Sequence, residues 1–378
     1  MTSVRAAVFR RPGDRASIEE VTLDRPAPGE VLVRIAAAGV CHSDLHCADG
    51  HLAGDRFPTV LGHEGAGIVE EVGGDVHHLA PGTHVSLCFL PACGTCRRCL
   101  EGRSMLCETT SKATFAGTSL DGSFRIRTPD GEPLKQFLGI ACFAERCVVP
   151  AASVVPIPDE LPLWQACLVG CAVVTGFGAV RNAAGVSAGE SVCVVGCGGV
   201  GLQVVAAARL AGADPIIAVD RLPEKLEFAR ARGATHLVEA TGEDPARQVR
   251  RIAGGGVDHA FEVVGRAETI RLAWEALRPG GTAVVVGLAP VGVEACVPAI
   301  DFLSEKSLRG SFYGSGNPAA EIGQLAGLAT TGDLDVGNVV THLTDLDGVE
   351  EALERLRRGE GARTVVVLDP ELAGAPAG

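Results

Sequence analysis

The chain has 378 residues, 47% hydrophobic and 21% charged, with a formal net charge of −13. That length favours two domains over one. The acidic balance argues against nucleic acid or an anionic membrane as a partner, since both need a basic footprint. The N-terminal stretch MTSVRAAVFRRPGDRAS lacks the continuous apolar run of a secretory signal. No stretch reads as the ~20 ungapped apolar residues of a membrane helix, so the expectation is a soluble cytoplasmic protein.

In chain order, VLVRIAAAGV (31–40) and EGAGIVEEVG (64–73) are β-rich and set off by Pro and Gly. From about Ser191 the rhythm becomes strand, turn, helix: SVCVVG, then GVGLQVVAAARLAG; PIIAVD, then LPEKLEFARARG; HAFEVV, then ETIRLAWEALRPG, then GTAVVVGL. Alternation of this kind predicts an α/β protein with a doubly wound parallel sheet. A helix is expected over 318–330, an amphipathic helix over 348–359 and a last strand at ARTVVVL, with PELAGAPAG as a frayed tail.

Fourteen cysteines in a cytosolic chain read as metal ligands or packing rather than as disulfides. Cys93, Cys96, Cys99 and Cys107 lie close together with Gly and polar residues between them. Such a loop folds back into a tetrahedron of thiolates, the usual structural zinc site. Accidental clustering and a redox Cys-x-x-Cys are the competing readings.

Three further segments, around Cys41, His63 and Cys171, each offer one ligand. A catalytic zinc uses about three protein ligands and leaves one position open. Each segment by itself reads more readily as packing than as a ligand.

Gly196, Gly198, Gly199, Val200 and Gly201 follow a strand and open a helix, as a dinucleotide-binding turn does. Asp220 ends the next strand, placed to accept from ribose hydroxyls and repel a 2′-phosphate, which favours NAD over NADP. The neighbouring Arg221 suits a phosphate instead.

The run CHSDLH, GHEGAGIVEEVG, the four-cysteine loop and LVGC, in that order, resembles the zinc-dependent medium-chain alcohol dehydrogenases, over about residues 5–368. The resemblance implies a GroES-like β-rich catalytic domain over 1–172 and 313–378 and a Rossmann NAD-binding domain over 173–312. It implies two zincs per subunit, a catalytic one held by Cys41, His63 and Cys171 and a structural one held by the four-cysteine loop. Glu64 would lie beside the catalytic metal and Asp44 would orient His63. His42 and Arg363 would contact the cofactor pyrophosphate, Lys225 the adenosine ribose, and Thr175 the nicotinamide side. Ser43, through the cofactor ribose, and His46 would carry the proton to the surface. Leu52, Phe89, Phe137 and Tyr313 are candidate walls of an apolar pocket, with core packing as the alternative for each. Most of the remaining cysteines (Cys47, Cys88, Cys142, Cys147, Cys167, Cys193, Cys197, Cys296) would be small buried apolar residues.

The implied reaction interconverts an alcohol and its aldehyde or ketone by hydride transfer to or from NAD, in a homodimer or homotetramer. Residues 115–143 resemble the insertion of the animal-type and glutathione-dependent branches, but Ser111 stands where the latter carry an arginine, beside Lys112. GHEGAGIV, DGSFRI, ACLVGC and YGSGNP are most similar to bacterial nicotinoprotein alcohol dehydrogenases, which keep NAD(H) bound; mycothiol-dependent formaldehyde dehydrogenases are near neighbours. A non-catalytic zinc protein that kept the fold, or a zinc-ribbon-like nucleic-acid module, would be the reading from a different class.

Overall fold

A computed structural model describes residues 1–52 and 54–376. The chain divides into two compact units, Met1–Val174 with Gly316–Gly378, and Thr175–Ser315.

The first unit is built on two β-systems. Thr2–Phe9, Ser17–Leu23, Ile126–Arg127, Pro133–Gln136 and Thr59–Val60 close into a small barrel, filled by Val4, Val8, Leu23, Val60, Ile126 and Leu134. A seven-stranded sheet runs beside it in sequence. Its central strand, Glu30–Gly39, pairs antiparallel with Glu64–Val72, with Arg146–Pro150 and with the C-terminal strand Arg363–Val367. The chain therefore leaves this unit, builds the second one, and returns to pair Val365 with Gly39. Small residues let these strands approach closely. A Cβ on Gly67 would lie 2.0 Å from the Arg34 carbonyl oxygen, and one on Gly62, at φ +90°, would lie 2.5 Å from the Phe143 nitrogen.

The second unit is a six-stranded parallel sheet in the order His236–Glu239, Ile216–Asp220, Val192–Val195, Val257–Glu262, Leu277–Val285, Ser307–Gly310. Numbered by sequence within the unit, that order is third, second, first, fourth, fifth, sixth, the arrangement of dinucleotide-binding folds. The strand VCVV is wholly buried, because helices cover both faces of such a sheet. Its core gathers Cys193, Val195, Ile217, Val219, Trp274 and Ala283.

Two expectations change. The run Leu163–Ala184 is a 22-residue helix apolar enough to cross a membrane by length and composition. Its glycines and short polar residues hid it from a search for ungapped apolar runs. Most of it is buried inside the protein, which accounts for the composition without a bilayer. The C-terminal stretch is also more ordered than a frayed tail. Pro370–Ala373 is helical, Asp369 accepts from the Leu372 N–H at 3.3 Å, and Ala373 is buried; residues 377–378 lie outside the described part.

The approach of Gly67 to Arg34 gives a stability test. Gly67→Ala should lower unfolding free energy by about 3 kcal/mol, through overpacking against main chain that cannot rotate away. A chemical-denaturation midpoint indistinguishable from wild type would show that the strands relax freely.

Candidate metal centre and dinucleotide turn

Cys41 ends the strand Glu30–Gly39 by one extended turn and caps the helix His42–Ala48. The first turn of that helix places Asp44, with no exposed surface, to accept from the Cys41 N–H at 3.1 Å. The other Asp44 oxygen accepts from the Gly62 N–H at 3.0 Å and from His63 Nδ1 at 3.1 Å. One carboxylate therefore ties together two segments about twenty residues apart. It also fixes the tautomer of His63, whose Nδ1–H is spent, so Nε2 is left as the lone-pair donor. Among the described residues, His63 Nε2 is buried without a hydrogen-bond partner.

Cys171 comes from the helical run after Leu163–Leu168, within a π-helical stretch, Val169–Val173. Widened turns of this kind recur at functional sites. Its sulfur, the Cys41 sulfur, a ring nitrogen of His63 and a carboxylate oxygen of Glu64 all lie within 4.8 Å of one another, and all four residues are buried. The unpartnered imidazole nitrogen aimed among two sulfurs is the donor set that zinc takes. Phe89 and Phe137 meet the His63 ring edge-on, at centroid distances of 5.5 and 5.7 Å, and keep the surroundings apolar.

The charges here are mutually dependent. Hydrogen bonding from Cys171 holds the Cys41 thiol well below its ordinary pKa, while the same bond, with burial, pushes Cys171 well above. Burial opposes charge on His63, but Asp44 and Cys41 outweigh it and raise its pKa. Burial raises Glu64 to about 7. Arg363 lies against it, with Nη2 3.1 Å from Glu64 Oε1 and Nη1 donating to the Val40 carbonyl at 2.7 Å. Zinc held by this set would need both thiols deprotonated and the imidazole neutral, so its affinity falls in acid.

The second cluster, Cys93, Cys96, Cys99 and Cys107, also has its four sulfurs within 4.8 Å. The Cys93–Cys99 and Cys96–Cys107 sulfur pairs are each 3.9 Å apart. Sulfurs held about 2.3 Å from one tetrahedral zinc would be separated by roughly 3.8 Å, whereas a disulfide would hold them at about 2 Å. The Cys96 N–H donates to Cys93 at 3.3 Å, and the Thr109 hydroxyl leads the groups that lower Cys93 to about 5. This set fits a closed structural zinc.

In the second unit, Gly196 turns the chain at φ +98° and Gly198 precedes the helix Gly199–Leu210, whose start has no side-chain cap. A Cβ on Gly201 would lie 1.9 Å from the Gly196 oxygen, whereas one on Gly198 would meet nothing within 4 Å. The turn is therefore tight on its inner side and open where a pyrophosphate would reach the free N–H groups. Asp220 does more than the spacing implied. Its oxygens accept from the Cys197 N–H at 2.8 Å and the Leu222 N–H at 3.0 Å, so it braces the turn itself. Glu262 was not foreseen at all. One of its oxygens accepts from the Val264 and Gly265 N–H groups and the Thr269 hydroxyl, shaping the loop after the next strand. Its only signal was an acidic residue ending a strand in the same way as Asp220.

The other expected residues divide. Ser43 lies 3.8 Å from the Cys41 sulfur, and His46 meets His51. Arg363 is buried with its terminal nitrogens committed to Glu64 and Val40, a setting that the expected pyrophosphate contact did not convey. His42 and Arg221 are exposed; Lys225, Thr175 and Leu52 are half-buried. Tyr313 is buried in the second unit. Of the cysteines without a role, Cys296 is exposed and the rest are buried, in line with the expectation that most would be.

Two metal-fitting thiolate sets and a dinucleotide turn define a zinc-containing oxidoreductase. The alcohol dehydrogenase GroES-like domain matches residues 27–159, and the zinc-binding dehydrogenase domain matches 199–331. A putative alcohol dehydrogenase D of Mycobacterium tuberculosis is 40% identical over 96% of this chain and 99% of its own length. An NDMA-dependent alcohol dehydrogenase of Amycolatopsis methanolica is 40% identical over 96% of this chain and 98% of its own. A solved structure from Burkholderia ambifaria, an alcohol dehydrogenase zinc-binding domain protein, superposes with a TM-score of 0.92 at 36% identity, covering 97% of this chain and 99% of that one. The chain belongs to the zinc-dependent medium-chain alcohol dehydrogenase family. It is an oxidoreductase whose residues fit zinc and NAD(P).

Asp44 gives the test of the metal centre. Asp44→Asn offers only one acceptor oxygen to three donors, and should weaken zinc binding about 10- to 100-fold. Competition against a chromophoric chelator measures this. Zinc retention equal to wild type would remove Asp44 from the metal's support.

Proposed function

We propose that Met1–Val174 with Gly316–Gly378 is the catalytic unit and Thr175–Ser315 the NAD-binding unit of an enzyme that oxidises a small alcohol to its aldehyde or ketone. The observation that carries this reading is the buried, unpartnered His63 Nε2, on a ring that has a nitrogen within 4.8 Å of two buried sulfurs and its Nδ1 held by Asp44. Bound by Cys41, His63 and Cys171, zinc supplies Lewis acidity toward an alcohol or carbonyl oxygen, and the nicotinamide supplies the hydride acceptor. Asp44 keeps His63 oriented, and Arg363 balances Glu64 so that a carboxylate persists beside the thiolates. Phe89 and Phe137 exclude water next to His63, and Leu52 and Tyr313 are proposed as further pocket walls. Ser43 takes the substrate hydroxyl proton, and His46 moves it toward solvent. In the dinucleotide site, Gly196, Gly198, Gly199, Val200 and Gly201 form the phosphate turn. Asp220 selects NAD, with Lys225 and Arg221 beside it and His42, Thr175 and Arg363 as further contacts. The localisation proposed is cytoplasmic.

The similarity to an NDMA-dependent alcohol dehydrogenase favours a second reading, in which NAD(H) stays bound between turnovers. Cofactor absorbance that comigrates with the protein through gel filtration supports it; protein free of absorbance near 340 nm and active only with added NAD supports the first.

A homodimer is proposed through the strand Ser307–Gly310, a sheet edge exposed along its whole length. Exposed Val291, Ile300 and Leu303 lie in the same part of the sequence. An open edge with apolar neighbours pairs readily with a second copy.

Two outcomes are expected. Cys41→Ala should bind one zinc per chain instead of two by elemental analysis and lose nearly all alcohol oxidation; retention of two zincs would exclude Cys41 as a ligand. Ile300→Lys combined with Leu303→Lys should convert the dimer to a monomer in light scattering after gel filtration, and an unchanged mass would place the interface elsewhere.

A further inference from the structure

The helix that carries Cys41, Ser43 and Asp44 ends in a feature that the relay leaves unused. Gly50 sits at φ +74°, its N–H donates to the Cys47 carbonyl at 2.9 Å, and the His51 N–H reaches back to the His46 carbonyl at 2.8 Å. This double bond pattern is a Schellman ending, in which the residue after the glycine and the third residue from the helix end come into side-chain contact. That contact is ordinarily apolar. Here both positions are histidine. The His46 and His51 Nδ1 atoms are 3.3 Å apart, with ring centroids at 5.5 Å. Two ring nitrogens at that distance share one proton, one donating and the other accepting. His51 is exposed, whereas His46 is half-buried.

We propose that His51 is the outlet of the proton relay: it accepts at Nδ1 the proton that leaves His46 Nδ1, and releases one from its own outer nitrogen to solvent. The inference rests on the reading that His46 receives the substrate's proton. As a proton arrives on the other nitrogen of His46, the shared Nδ1 proton crosses to His51. His51 then loses its outer proton to water, and proton exchange of each ring with water, one proton lost at one nitrogen and one gained at the other, restores the starting tautomers. The number of protons on the pair is unchanged by one cycle. His51 touches neither substrate nor cofactor and so acts as a positioning residue.

The surrounding charges favour this direction. His46 is faced by His42 and Asp49 of its own helix, by Cys41 at the helix start and by His51. The Asp49 carboxylate is itself paired at 2.5 Å with Arg357 of the helix Val349–Arg358, which also meets Glu350 and Glu354. Burial first, and then the charge of His51, lower the pKa of His46 from its ordinary value, against the raising effect of Cys41 and Asp49. A neutral His46 near neutral pH is ready to accept.

His51→Leu puts the usual apolar residue at the helix ending and should keep the fold, with an unchanged melting temperature; His51→Asn keeps a hydrogen-bonding side chain that carries no proton. In the zinc- and NAD-loaded enzyme, both should slow single-turnover alcohol oxidation at least threefold at pH 6–7. KM should be unaltered, the acid limb should move to higher pH, and added imidazole should restore the rate. In protein labelled with 13C at histidine Cε1, the His46 resonance should titrate at higher pH once His51 is replaced, which does not depend on turnover. Wild-type rates at every pH, no imidazole effect and an unmoved His46 titration, together with a slow His46→Gln enzyme, would overturn the role of His51 and leave the relay standing. If His46→Gln is also as fast as wild type, the relay reading itself falls, and this inference with it.

Discussion

Everything at the metal centre depends on burying the Asp44 carboxylate. An anion with no exposed surface persists only if its lone pairs are filled, and here three donors fill them: the Cys41 N–H, the Gly62 N–H and His63 Nδ1. Two of those donors are main chain, so the carboxylate holds the backbone of both ligand-bearing segments as well as the imidazole. Gly62 is part of the same constraint. Its positive φ aims an N–H at Asp44, and any side chain there would strike Phe143. Two of the three proposed ligands are thus held in place by one carboxylate, which would spare a bound zinc the ordering cost that a flexible loop would impose.

A second buried charge closes the site from the far end of the sequence. Glu64 directly follows His63, and burial raises its pKa to about 7 even though Arg363 opposes the shift. Arg363 stands opposite Glu64 only because the C-terminal strand Arg363–Val367 returns to pair with Glu30–Gly39, the strand leading into Cys41. The interrupted chain order therefore has a chemical consequence: the cation that balances Glu64 and both thiols is delivered after the second unit has been made. Mutual satisfaction of this kind makes single removals costly, since the partner is left charged and buried.

The parts of this architecture differ in how far the sequence reveals them. The four-cysteine loop is local, so spacing alone discloses it. The parallel sheet is legible because buried strands such as VCVV alternate with helices and glycine turns. Cys41, His63 and Cys171 are scattered over 131 positions, and only resemblance to a family joins them, because no local pattern encodes a contact between distant turns. Arg363 reads as a surface charge, and its burial is invisible without the strand pairing that hides it. The helix Leu163–Ala184 escapes a search for ungapped apolar runs because small and polar residues punctuate it. His51, by contrast, was readable: a helix ending at Gly50 with histidine one position beyond and four positions before specifies the pair through a known turn geometry. Asp220 was found for one role and holds another, since spacing identifies a ribose-facing acid but says nothing of the Cys197 N–H it also accepts.

The two candidate metal clusters offer one element opposite surroundings. Around Cys93, Cys96, Cys99 and Cys107 the donors are four sulfurs, three of them partly exposed, and the helping groups are a backbone N–H and threonine hydroxyls. Four thiolates leave a bound zinc with net negative charge and no open position, which suits a staple and repels an incoming oxyanion. Around Cys41, His63 and Cys171 the donors are two sulfurs and a neutral imidazole, so the same ion keeps its full charge compensated but not exceeded. Burial and the two phenylalanine edges then remove competing water, and Coulombic interactions with an entering oxygen strengthen as the local dielectric falls. On the proposed assignment, reactivity at one cluster and inertness at the other would follow from ligand charge and solvent access, with the metal held constant.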